Sequence, residues 1–236
     1  MEHRTPTFAD LPRRVIAGVS VVDTPIVREA QQYARDHSDD FLYNHIMRSW
    51  LFGALLLSHN ETLSHIIDPE VQAVAILLHD LGLDMDPNSP HVSPDRRFEV
   101  DGAIAARSFI RTHRDGEHWE ERRVQLVWDA IALHTDNRIT RYKEPDVAIV
   151  TESIGMETTG PQYGVPEEEY NNVLAEFPPI GIPDSVITYM SWLCEHKPNT
   201  TYENIVQGYG DEFVEGYSAK GHRAVDVISG LHPVFK

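Results

Sequence analysis

Residues 71–83 read VQAVAILLHDLGL, an apolar run that closes on His79-Asp80 and is broken at Gly82. Asp68-Pro69 stands just before it, a capping residue followed by proline at a first helical position. A helix is therefore predicted from Pro69 to Leu81, with Gly82 as its stop. Being apolar on nearly every side, it belongs inside the fold. Its end offers an imidazole and a carboxylate on adjacent positions, roughly 100° apart around the axis. A His-Asp step alone carries no signal, because a chain with 13 histidines among 236 residues contains one by chance. What gives it weight is His45 on the preceding apolar segment. Two imidazoles and a carboxylate from two helices can hold one divalent metal, and a metal held in that way activates water. Mixed nitrogen and oxygen ligation suits Zn, Fe, Mn, Co or Ni; a single ion is expected, zinc first among these. Taken singly, a histidine at a helix start is more often a cap than a ligand.

Working outward, the chain keeps a helical rhythm. Residues 1–24 mix Pro, Thr and charge without period and read as an irregular N-terminal arm. Pro25 opens a helix with Ile26, Ala30 and Tyr33 on one face. Ser38-Asp39-Asp40 can cap the next, FLYNHIMRSWLFGALLLSH (41–59), whose apolar positions 42, 46, 50, 51, 54, 55 and 57 place it at the centre. DMDPNSPHVSPD (84–95) holds three prolines and reads as a long loop. Helical pattern resumes over 96–113, and again over 119–134 with Val124, Val127, Trp128 and Ile131 on one face. EPDVAIVTESIGM (144–156) follows, broken by the loop ETTGPQYGVP, and shorter helices are predicted near 167–176, 184–195, 201–217 and 221–229. No stretch alternates with period two over a useful length. The expectation is one all-α domain over residues 25–236.

Composition narrows the function classes. A net charge of −17 argues against nucleic acid and against anionic membranes. Cys194 is the single cysteine, so neither an internal disulfide nor a thiolate zinc site can form. The stretch MEHRTPTFADLPRR lacks the apolar core of a signal peptide, and no apolar run approaches a membrane span. A soluble, cytoplasmic protein acting on a small molecule is expected; apolar helix faces leave a homo-oligomer open.

The segments YNHIMRSW, ILLHDLGL, RRFEVDGAIAA and DAIALHTD, in this order and roughly this spacing, resemble the HD-domain superfamily. Within it they look like the cyanamide hydratase branch, as does the late CEHKPNTTYENI. The resemblance covers about residues 25–205. It implies a helical bundle holding a metal through His45, His79, Asp80 and a distant acidic residue. Where that branch has Asp in a segment like ATLYDNVG, this chain reads AIVTESIG, so the matching position is Glu152, with Asp146 as an alternative oxygen donor. His134 matches a histidine of the branch and is either a core imidazole or a substrate-facing group. Asp101 or Glu99, on FEVDG, is a candidate proton shuttle, while Arg96 and Arg97 read more readily as a solvated pair than as a phosphate clamp. Lys197-Pro198-Asn199-Thr200-Thr201 lacks the aromatic residue and histidine that the branch carries there, which puts cyanamide itself in doubt.

Four functions follow in order. The first is a hydratase or hydro-lyase adding metal-activated water to a nitrile or cyanamide carbon, with Asp80, His134 and Asp101 as catalytic candidates. The second is a phosphohydrolase on a nucleotide or small phosphate ester, which needs a cationic lining that only Arg48, Arg96 and Arg97 could supply. Third comes a di-iron oxygenase, for which His91, His113 and His134 are the additional ligands to consider. The last is a non-catalytic helical binding domain.

Overall fold

The computed structural model describes residues 10–86 and 88–231. Among the described residues twelve α-helices carry the chain, and the one sheet has two strands. The predicted all-α class is what is observed.

The first described segment departs from the irregular arm expected before residue 25. β1 (Arg13–Ile16) and β2 (Val19–Val22) form an antiparallel hairpin, with Arg13 opposite Val22 and Ile16 opposite Val19. Ala17 and Gly18 both have positive φ, 49° and 80°, the two-residue turn that matches strand twist. Strands of four residues joined through Ala-Gly, rather than Asn-Gly, give too little alternation to read. Val19, Val21 and Val22 are buried, and β2 packs against the helical core. The remainder of the expected arm, residues 1–9, lies outside the described residues.

α1 (Pro25–Asp36) starts on its proline and buries Ile26, Val27, Ala30 and Ala34. α2 (Asp40–Ser58) begins where the Asp39 side chain accepts from the Leu42 backbone N–H at 2.8 Å. From Ile46 to Leu57 every residue of α2 is buried, as its unbroken apolar run requires. α3 (Glu61–Ile66), capped by Asn60, is a short helix the periodicity did not announce. α4 (Pro69–Leu78) is capped by Asp68, whose carboxylate accepts from the Glu70 and Val71 N–H groups and is gripped by Arg123. Nine of its ten residues are buried, leaving only Glu70 partly exposed. The helix ends at Leu78, three residues before the predicted Leu81, and a 3-10 turn follows at Leu81–Leu83.

α5 (Phe98–Thr112), α6 (Glu121–Leu133), the short α7 (Asn137–Thr140) and α8 (Pro145–Thr159) complete the bundle, with α4 and α8 each packed against α2, against α6 and against each other, and α5 against α6. After α9 (Glu167–Glu176), α10 (Ile182–His196) and α11 (Gln207–Phe213) pack on each other, and α12 (Ala224–Leu231) closes the described chain. The helix predicted over 201–217 is confined to α11. Upstream of it, Asn204 and Thr201 hydrogen-bond to Thr200, Pro198 and the Val206 N–H, and Glu203 takes φ 58°. Such local side-chain bonds compete with the helical ladder. Among the described residues no helix is long and apolar enough to cross a membrane.

Candidate metal centre

The turn that ends α4 brings the first three predicted ligands together. His45, on the second turn of α2, His79 and Asp80 offer ligand atoms that all lie within 4.8 Å of one another. His45 Nε2 is 3.1 Å from His79 Nε2 and 3.5 Å from Asp80 Oδ2, and His79 Nε2 is 3.1 Å from the same oxygen. His134, at the end of α6, adds a third imidazole with Nε2 3.7 Å from Asp80 Oδ1. Its ring meets that of His79 edge-on, centroids 5.0 Å apart.

The far side of each ring fixes what the near side presents. His79 Nδ1 donates to the Ile76 carbonyl and His134 Nδ1 to the Ile131 carbonyl, both at 2.7 Å. A carbonyl only accepts, so the proton sits on Nδ1 and Nε2 turns a lone pair toward Asp80. His45 Nδ1 is 2.7 Å from Glu157 Oε2, a carboxylate that acts on the ring in the same way. Lone pairs 3.1 Å apart beside a carboxylate repel unless a cation lies between them. Donors around a tetrahedral zinc at about 2.0–2.1 Å stand about 3.3 Å from one another, close to the spacing found here. The donor set therefore fits a divalent metal.

Without a metal, a proton takes part of that role. Burial opposes charge on His45, but Glu157 and Asp80 outweigh it and raise its pKa. Asp80 is likewise opposed by burial, yet positive charge on His79 first, then on His45 and His134, where a proton takes the place of the metal, holds its carboxyl well below the usual carboxylate range. His134 is shifted down, by burial first and then by charge at His79.

Two supports hold the centre in place. Glu157 is itself gripped by the fully buried Arg48, whose Nη1 donates to the carbonyls of Phe177 and Pro178 at 3.1 Å each. On the other side, α5 lies hard against the His-Asp turn. A Cβ at Gly82 would collide with the Phe98 carbonyl, and one at Gly102 would fall 2.8 Å from the His79 carbonyl oxygen. Both positions need glycine because backbone passes backbone there.

Beside the histidines opens a cavity of about 560 Å³. His45, His79, Asp80, His134, Glu152 and Glu157 line it from the bundle; Val186, Tyr189, Met190, Ile205 and Tyr209 line it from α10 and the segment through α11. Burial and Asp39 raise the Tyr189 pKa, so this residue brings a neutral ring.

Neither a protein-family model nor a curated protein matches this chain.

The remaining predicted site residues separate clearly. Glu152 lines the cavity but stands outside the ligand group, its carboxylate accepting from the Tyr163 hydroxyl at 2.9 Å. Asp101, the candidate proton shuttle, is buried and does not line the cavity; its oxygens accept from Ser93 N–H, Arg96 Nε and the buried Lys197 Nζ at 2.9, 2.8 and 2.7 Å. Asp146 accepts from the Asp68 N–H at 2.8 Å, at the opposite end of α4 from the His-Asp turn. Arg97 and Thr135 both bind Glu99, which lies beneath His134. Arg96 and Arg97 each bond a buried carboxylate while 46% and 41% of their own side-chain surfaces stay exposed, in keeping with the solvated pair expected from the sequence. His91 meets Tyr33 at 3.0 Å, and His113 faces Glu29 at 3.3 Å; neither reaches the centre.

Glu157 was missed, because the sequence reading ended its helix at Met156 and began a loop there. α8 instead runs on to Thr159 and stops at Gly160, where φ is 75°. A signal did exist: His45 and Arg48 stand three apart on one buried helix, so both point to a shared carboxylate.

Proposed function

We propose that this chain is a metal-dependent hydratase or hydro-lyase of the HD-domain type, close to the cyanamide hydratase branch, adding water to a nitrile- or cyanamide-like carbon. The observation that carries this reading is the convergence of three imidazole Nε2 lone pairs on Asp80, at the floor of a cavity whose lining includes no lysine or arginine.

A divalent ion held by His45, His79 and Asp80 would lower the pKa of water and polarise the substrate. The protein supplies the rest. Asp80, ionised throughout the neutral range, fixes the geometry and balances charge. Glu157 keeps the Nδ1 proton on His45, leaving its Nε2 free as a donor. His134 is neutral near pH 7 and can accept a proton from water at Nε2 as oxygen bonds to carbon, then return it to nitrogen as one π bond of the C≡N group breaks. These transfers give R–C(OH)=NH, and a further proton shift from oxygen to nitrogen completes the overall change, R–C≡N plus water giving R–C(O)NH2.

A phosphohydrolase is less well supported, because Arg48, Arg96 and Arg97 are each bound to a carboxylate and none lines the cavity. Among the described residues a single His/Asp group has ligand spacing, which leaves a di-iron site short of donors.

The test is metal content per chain for the wild type and for Asp80→Ala, with circular dichroism to show that both are folded. About one equivalent, lost in the variant, together with conversion of a nitrile or cyanamide to its amide or urea, is the expected result. A folded wild type that binds none of Zn, Fe, Mn, Co or Ni would overturn the proposal and leave a helical binding domain.

A further inference from the structure

The cavity is far larger than the smallest substrate its chemistry suits. Its volume is about 560 Å³. A three-heavy-atom molecule such as cyanamide displaces on the order of two or three waters, at roughly 30 Å³ each. Most of the space would stay unfilled, and a site that binds tightly encloses most of its ligand.

The lining is divided by element. The histidines and carboxylates of the lining come from α2, the turn after α4, the end of α6 and α8. The side chains that α10 and the segment through α11 add are apolar or aromatic: Val186, Tyr189, Met190, Ile205 and Tyr209. Phe41 joins them, its ring stacked on Tyr189 with centroids 6.1 Å apart. Ile205 keeps 55% of its surface exposed although it borders the cavity, which is apolar area that a ligand could cover. Charge is equally one-sided, with Asp80, Glu152 and Glu157 in the lining and no lysine or arginine to offset them. A substrate carboxylate or phosphate would meet these carboxylates with no side-chain counter-charge, and desolvating an unpaired anion is costly.

From this division we infer that the substrate is uncharged and carries its reacting carbon on an apolar body at least the size of an aromatic ring, as in an aryl or long-chain nitrile or an N-aryl cyanamide. The identity of the reacting group rests on the hydratase reading; the apolar, neutral body rests on the lining alone.

Calorimetric titration of the metal-loaded full chain with cyanamide, acetonitrile, benzonitrile, benzamide and 4-cyanobenzoate separates the two. Benzonitrile is expected to bind at least about tenfold more tightly than acetonitrile or cyanamide, from burial of its ring. Benzamide should share that preference, and 4-cyanobenzoate should be at least about tenfold weaker than benzonitrile. Ile205→Asp should erase the preference while metal content stays at the wild-type value. Equal or tighter binding of cyanamide or acetonitrile, equal binding of 4-cyanobenzoate, or no binding by any of the five would overturn the inference. Product formation, followed by NMR, tests the other half. Preferential binding of benzonitrile and benzamide without hydration would sink the hydratase reading and leave the apolar, neutral pocket standing. Hydration with a preference for cyanamide would do the reverse.

Discussion

Asp80 and Asp101 are both buried, with 6% and 1% of their surfaces exposed, and lie on either side of one helix contact. Around Asp101 stand donors: a guanidinium, a backbone N–H and a buried ammonium. Around Asp80 stand three imidazole nitrogens whose protons have been drawn to the far side of each ring by carbonyls or a carboxylate. The first carboxylate is complete within the protein, and the second stands where a cation could complete it. Burial alone does not distinguish a structural carboxylate from a ligand; the sign of what surrounds it does.

Each consequence of this contrast can be measured. Asp80→Ala should have the largest effect. If the roughly 10–16 kcal/mol of a tight zinc site is shared evenly among three protein ligands, its loss costs about 10²–10⁴-fold in affinity, and the proposed hydration falls with it. Asp101→Ala should instead leave metal stoichiometry intact while removing about 3–5 kcal/mol of folding stability in denaturant melts, because Lys197 is left buried and unpaired. The pair Asp101→Leu with Lys197→Met should recover most of that loss. If Asp101→Ala instead emptied the site without destabilising the fold, the contrast between the two aspartates would be wrong. Glu157→Gln keeps the size of the side chain but weakens the pull on the His45 proton, so metal affinity should fall about 10–100-fold by competition with a chelating dye.

Acidity sharpens the same point. A proton on His45 competes with the metal, so affinity should drop by about tenfold per pH unit below the raised His45 pKa and level off above it. The metal-free protein should respond in the opposite sense. A raised pKa adds stability below the ordinary histidine value of 6.5, and that stability is lost as pH rises through the folded value. Melting curves of the metal-free and loaded forms against pH should therefore diverge. Asp80, held ionised to low pH, is not the group that releases the ion first. The smallest effect belongs to Glu152→Gln, expected to change metal affinity by no more than about twofold, since its partner is Tyr163.

Much of this centre was legible because its signals are local. A proline and a cap before an unbroken apolar run mark α4, and Asp39 before another marks α2; these two helices deliver His45, His79 and Asp80. The acidic, Pro-preceded start of α9 placed it over 167–176, where it is found. What stayed hidden depends on contacts distant in sequence. Nothing near Asp101 announces that Lys197 will reach it across 96 positions, so a solvent-facing acid and a buried ion pair look alike. Glu152 was chosen by motif position, yet on α8 it is Glu157 whose carboxylate reaches His45. The hairpin at 13–22 is too short for its alternation to stand out.

Gly82 and Gly102 bear on how this protein could be altered. α5 contributes no ligand, yet its backbone rests against the turn that carries His79 and Asp80. A library aimed at new ligands should therefore hold both glycines constant, since even alanine would displace the His-Asp turn before any new preference could be selected. Randomisation belongs at positions 186, 190, 205 and 209, where side chains border the cavity but do not set the turn.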